Sequence, residues 1–229
     1  MNLLALETAT ESCSVALLRG GTLFERSEIA PRRHAELVLP MAEAVLGEAG
    51  VSRGELEAIA VGRGPGAFTG VRLAVSMAQG LALALDIPVV TVSSLAALAM
   101  EAPEDAAPVL AMIDARMGEI YAALYRHDAQ GLLQVVDEET VCPPQALQPS
   151  LDLATCHVTG SGWSAYGGEL EPRLGIPRSV NAEAFPQARH VARLAALAFA
   201  RGAAVPPEQA LPVYLRDKVA LTMAERAGT

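Results

Sequence analysis

The sequence predicts an α/β protein made of two similarly built domains, and three observations carry that prediction. Short apolar strands alternate with segments of helical period. The order strand, acidic residue, turn, strand, turn, strand opens the chain and recurs after residue 108, although residue identity between the two halves is negligible. Between them, Met100 to Pro108 holds two prolines and three acidic residues and reads as a linker. The expected domains are 1–102 and 103–229, with the last helix able to pack back on the first of them.

The elements follow in order. Leu3 to Leu6, Ser14 to Leu18 and Leu23 to Ile29 are strands of an antiparallel meander, with Arg19-Gly20-Gly21 turning between the last two. Ala35 to Ala49 is a helix: Leu37, Met41 and Val45 recur every four residues and Gly50 stops it, while Pro40 should bend or fray its start. Ala58 to Gly62 is a strand, Gly64-Pro65-Gly66 a turn, and a helix opens at Thr69 or Gly70 and runs to about Leu85. Val89 to Val92 is a strand, and Ser93 caps a helix starting at Ser94. Beyond the linker, Val109 to Ile113 leads into Asp114 and a turn at Gly118, followed by strands Ile120 to Tyr125 and Leu132 to Val136. Pro143 to Pro186 is rich in Pro, Gly and Ser and shows only the strand Cys156 to Val158, with Gly160-Ser161-Gly162 as a turn after it. Ala188 to Ala203 is a helix with Val191, Leu194, Ala195 and Ala198 on one face.

Composition narrows the function. The 229 residues carry 17 basic against 26 acidic side chains, a net charge of −9, shared as −4 through Glu101 and −5 beyond it. Sixteen of the basic residues are Arg, no basic run exceeds Arg32-Arg33, and aromatics make up 4%. Neither the charged groove nor the stacking platform of a free-standing nucleic-acid binder is visible. The core is built from Ala, Leu and Val, which suits close helix packing. Cys13, Cys142 and Cys156 fit no zinc pattern and read as reduced thiols. Glu7 interrupts the first apolar run too early for a signal peptide, and Leu73 to Val92 reads as a buried helix and strand rather than a membrane span. The expected location is the cytoplasm.

Three segments could carry chemistry. Thr8, Thr10 and Ser12 lie in a polar turn whose hydroxyls could hold a phosphate or simply serve the turn. Gly62 to Gly70 joins a strand to a helix, and its glycines, Gly64 and Gly66 among them, either aim backbone N–H groups at an anion or let the loop pack tightly on a neighbouring helix. It fits neither the phosphate loop ending in Gly-Lys-Ser/Thr nor the dinucleotide spacing. The helix after it sets Leu73, Met77 and Leu81 on one face and Ala74, Ala78 and Ala82 on an adjacent one. A helix apolar on two faces is either buried or covered by another chain.

No catalytic set is legible. His34, His127, His157 and His190 are isolated from one another, with no metal-ligand spacing and no G-x-S-x-G elbow nearby.

Several segments together resemble one family. Leu3 to Thr10 with Cys13 to Leu17, the helix start from His34-Ala35-Glu36 to Leu39-Pro40-Met41, Gly64 to Arg72, Ala78 to Ala82 and Asp114 to Tyr121 are similar to the TsaB family, formerly YeaZ. The resemblance covers roughly residues 1–125. Beyond that only Gly160, Gly162, Tyr166 and Tyr214-Leu215-Arg216 continue it.

It implies the fold shared by actin, sugar kinases and Hsp70, with a mixed five-stranded sheet in each domain. It also implies a part in placing threonylcarbamoyl on the adenosine beside the tRNA anticodon. In that pathway TsaC makes threonylcarbamoyl-AMP, and TsaD, a paralogue, transfers the group with TsaB and the ATPase TsaE as partners. The two metal-binding histidines of TsaD-like proteins fall on Ser94 and Leu98 here, counted from Ile87-Pro88. Neither is a metal ligand of the required kind.

The resemblance therefore implies a non-catalytic partner of TsaD, with no cofactor or metal and with tRNA reached only through the complex. The expected interface is Leu37, Met41 and Val45 on the first helix, with Leu73, Ala74, Met77, Ala78 and Leu81 on the second. An interface of this kind buries on the order of 800 Å² per partner. The same surface could pair two copies of the chain when TsaD is absent. Two rival readings are a nucleotide-binding ATPase or kinase with a weak or vestigial cleft at Thr8, Thr10, Ser12, Gly64 and Gly66, and a metallo-glycopeptidase.

Overall fold

The computed structural model describes residues 1–128 and 132–216. The end of the second expected domain, residues 217–229, lies outside the described residues. The first sheet contains β1 (Asn2–Glu7), β2 (Ser12–Arg19), β3 (Thr22–Ile29), β4 (Ala58–Gly62) and β5 (Val89–Val92) in the order β3-β2-β1-β4-β5. The second contains β6 (Val109–Arg116), β7 (Glu119–His127), β8 (Leu133–Cys142), β9 (His157–Thr159) and β10 (Ser179–Asn181) in the order β10-β9-β6-β7-β8. In each sheet the first three strands in sequence pair antiparallel and the other two add in parallel beside the first. The two halves share one topology.

The helices are α1 (His34–Ala49), α2 (Phe68–Leu85), α3 (Ser94–Ala99), α4 (Ser161–Leu174) and α5 (Ala188–Ala200). Gly20 and Gly21 both take positive φ, which gives the β2–β3 hairpin the twist its strands need. Ser93 caps α3, its Oγ accepting from the Ala96 N–H at 3.1 Å. The hard-to-read stretch holds β9, α4 and β10. Gly160-Ser161-Gly162 is not a free turn, because Ser161 opens α4 behind Gly160 and its Oγ accepts the Asp114 N–H at 3.1 Å. Strand β8 runs on to Cys142, well past Val136, since its outer residues are polar and hide the strand period.

Sheet alternation sorts the core. Leu4 and Leu6 of β1 face the cluster beneath α1 and α2, while Leu3 and Ala5 face the opposite cluster. That second face is paved with Ala5, Ala16, Ala58 and Ala60 and covered by Ala188, Val191, Ala192 and Ala195 of α5. Helix α5, from the far end of the chain, therefore lies on β1, β2, β4 and β5 of the first sheet. The alanines on both sides permit that close approach. Helix α2 is long and apolar enough by length and composition to cross a membrane, at a mean hydropathy of 1.4. Here it is the crossover between parallel β4 and β5, with Ala74, Val75, Ala78 and Ala82 buried on the sheet.

Candidate functional site

The β1–β2 turn is organised by a carboxyl group. Glu7 ends β1 with no solvent exposure; Oε1 accepts the Ala9 N–H at 2.7 Å and Oε2 accepts the Ser94 hydroxyl at 2.8 Å. Burial pushes the Glu7 carboxyl up to about 7, against the opposing pull of those hydrogen bonds. Ser94, where the family resemblance implies the first of two lost metal ligands, is thus bonded to Glu7. Leu98, at the second, is fully buried in the core of the other domain.

The three hydroxyls of the turn separate. Thr8 Oγ1 donates to the Gly70 carbonyl at 2.8 Å. Ser12 turns away from the cleft to meet Gln187 Nε2 at 3.1 Å and Ser27 Oγ at 3.4 Å, so it is corrected from a cleft residue to part of the packing beneath α5. The alternation of β2 sends it to that face. Thr10 alone lines the space between the domains, and its buried Oγ1 has no hydrogen-bond partner among the described residues.

The glycine-dense loop is seated rather than open. The Ala67 N–H donates to the Ala9 carbonyl at 2.7 Å, and a Cβ on Gly66 or Gly70 would collide with the carbonyl of Ala9 or Thr8. Gly66 and Gly70 let the loop press against the β1–β2 turn, while Gly64, at positive φ, packs against Val71 of α2. Gly64 is buried and outside the cleft, whereas Gly66 lines it. The cleft holds about 390 Å³ and is bounded by Thr10, Glu11, Asp114, Arg116, Ser161 and Glu183 among others. Arg116 bridges it, 2.6 Å from Glu11 and 2.9 Å from Asp114. Three lining carboxylates against one guanidinium leave a negative cleft.

The expected docking face also divides. Met41, Val45, Ala74 and Ala78 are buried against the first sheet, so they are corrected from surface to core. Leu37, Leu73, Met77 and Leu81 are half-buried on the outer side, with Leu39, Phe68 and Leu83 exposed nearby. On α2 helical period explains the split: of two adjacent apolar faces the alanine one fits the sheet, and the Leu/Met one remains outside.

The sequence reading missed the Glu7–Ser94 pair and the Arg116 bridge. Their only signal is a lone acid ending the first strand of each half, Glu7 and Asp114. Among the described residues, no three His, Cys, Asp or Glu side chains gather closely enough to hold a metal ion.

Comparison with known proteins agrees with this architecture. Residues 26–171 match the family described as TsaD, tRNA N6-adenosine threonylcarbamoyltransferase. The tRNA threonylcarbamoyladenosine biosynthesis protein TsaB of Escherichia coli is 41% identical, covering 96% of each chain. Its counterpart in Haemophilus influenzae is 37% identical, covering 96% of this chain and 95% of that one. A tRNA N6-adenosine threonylcarbamoyltransferase of Trichlorobacter lovleyi is 35% identical over 82% of this chain but only 58% of its own length. Among solved structures, YeaZ from Pseudomonas aeruginosa superposes with a TM-score of 0.87 at 47% identity, covering 93% of this chain and 99% of that one. With near-complete coverage in both sequence and structure, the chain belongs to the TsaB family of tRNA threonylcarbamoyladenosine biosynthesis proteins.

Proposed function

We propose that this chain is a non-catalytic subunit that holds TsaD in the complex which transfers threonylcarbamoyl to the adenosine beside the tRNA anticodon. One observation carries the reading: at the two positions where the transferase paralogues would place metal ligands, Ser94 is bonded to buried Glu7 and Leu98 is core. The half-buried face of Leu37, Leu73, Met77 and Leu81 supports TsaD docking, and without TsaD it suits a second copy of the chain. TsaE joins the same complex, TsaC supplies the activated group, tRNA is bound within the assembly, and the work is cytoplasmic, with no cofactor held by this chain.

Reconstitution tests this. Threonylcarbamoyl transfer to tRNA by TsaD, TsaE and TsaC should depend on this chain, while the chain alone should hydrolyse no ATP. Transfer that proceeds equally well without it would overturn the proposal. The unpartnered Thr10 hydroxyl favours a second reading, a nucleotide in the cleft. The excess of carboxylates there repels phosphates, so any nucleotide affinity should be weak and magnesium-dependent. A metallo-glycopeptidase gains no support, because no metal-ligand cluster forms among the described residues.

A further inference from the structure

Beside the acidic cleft, and separated from it by Arg116 and Tyr121, lies a second groove of about 500 Å³. Three segments remote in sequence build it: the start of α2, the β6–β7 turn, and residues 213–216. Its lining contains Arg72, Arg116 and Arg216 with the rings of Phe68, Tyr121 and Tyr214, and no acidic side chain among the described residues. The Arg72 guanidinium lies 3.5 Å from the centroid of the Phe68 ring and donates to the Tyr214 hydroxyl at 2.6 Å. The two rings stand 5.9 Å apart, tilted by 35°. Arg216 is held by Glu119 at 2.5 Å and by the carbonyls of Ala115 and Arg116, and Arg116 reaches back to Glu11 and Asp114. Arg72 has no carboxylate within 4 Å among the described residues, so the groove carries an uncompensated positive charge on a chain of net charge −9.

We propose that this groove binds a single-stranded segment of RNA, one base stacking on the exposed Phe68–Tyr214 surface and its phosphate meeting Arg72. Flat rings interleaved with guanidinium groups accept any base by its π-face and the backbone by charge. The acidic remainder of the chain confines that contact to one spot. The occupant is taken to be RNA because the chain belongs to a tRNA-modification family, so the inference rests on the function proposed above and adds a direct foothold on tRNA within the complex. Sequence distance hides this feature, since Phe68 and Arg72 are well over a hundred residues from Tyr214.

The test is equilibrium binding of a fluorescein-labelled single-stranded 12-nucleotide RNA, and of unmodified tRNA, to the full chain alone and to its complex with TsaD. Arg72→Ala and Phe68→Ala should each weaken RNA binding at least about fivefold, and Arg72→Ala should also flatten the dependence of log K on log salt by about 0.7. Arg72→Ala should still associate with TsaD on a sizing column, whereas Met77→Arg should lose TsaD and keep the RNA contact of the isolated chain. Retained TsaD association in Met77→Arg would overturn the docking face behind the subunit role, whereas unchanged RNA binding in Arg72→Ala and Phe68→Ala would overturn the groove. AMP or polyglutamate that occupies the groove while the RNA does not bind would overturn the proposal, as would an absence of RNA binding by the wild-type chain and its complex.

Discussion

Glu7 and Ser94, both without solvent exposure, share a 2.8 Å hydrogen bond that ties the end of β1 to the start of α3. A carboxyl in that setting holds its proton into the neutral range, up to about 7. The folded chain therefore binds a proton that the unfolded chain has released above about pH 4.5.

The sign of the pH dependence follows. Between the unfolded value of 4.5 and the folded value of about 7 the native state binds more protons, so stability falls as pH rises through that window. The loss approaches about 3 kcal/mol above pH 7. Thermal melts from pH 5 to pH 8 should show this contribution, and Glu7→Gln should remove it while keeping an acceptor for the Ala9 N–H. An unchanged pH profile in that variant would assign the dependence elsewhere.

The two faces of α2 should respond differently to one substitution. Met77 is half-buried on the outer side, so Met77→Arg should leave the circular dichroism melt within about 1 kcal/mol of wild type while abolishing association with TsaD. Ala78 is fully buried against the sheet, and Ala78→Arg should prevent folding, because a guanidinium there has neither space nor a counter-charge.

Alanine between α5 and the first sheet is a requirement of space. Ala192 packs with no exposure on a face lined by Ala5, Ala16, Ala58 and Ala60. Ala192→Leu should destabilise the chain by about 1–3 kcal/mol in urea unfolding, although it adds apolar surface. Ala198→Leu, at the partly buried edge of the same cluster, should cost much less.

The linker is latched to the second sheet. His157 is nearly buried, with Nδ1 2.5 Å from Ser179 Oγ and Nε2 3.1 Å from Asp105 Oδ1, and Arg178 also reaches Asp105 at 3.2 Å. Asp105→Ala should release the segment from Met100 to Pro108, and limited proteolysis should then cut there several-fold faster than in wild type.

Much of this architecture is legible along the chain because its signals are local. The period-two runs of β1 and β2, the Gly20-Gly21 turn, the Gly50 stop of α1 and the Ser93 cap of α3 each depend on a few neighbouring residues. The region from Pro143 to Pro186 resists reading for the opposite reason: β9 and β10 are three residues each, and α4 opens with Ser161-Gly162 and contains Gly167, Gly168 and Pro172. Such segments are held in place by β6 and by the core beneath α4, not by their own propensity.

Local signals along the chain are enough for the repeated strand order, the apolar character of α2 on two faces and the family. Packing across the fold settles which of those faces meets the sheet, sending Ala74 and Ala78 inward and leaving Leu73, Met77 and Leu81 partly free. It also turns Ser12 away from the cleft, lays α5 on the first sheet as the sequence allows, and brings Phe68, Arg72 and Tyr214 into one groove. Periodicity and turn chemistry act within a few residues of the chain, whereas packing and charge act between groups that only the fold brings within a few ångströms of each other.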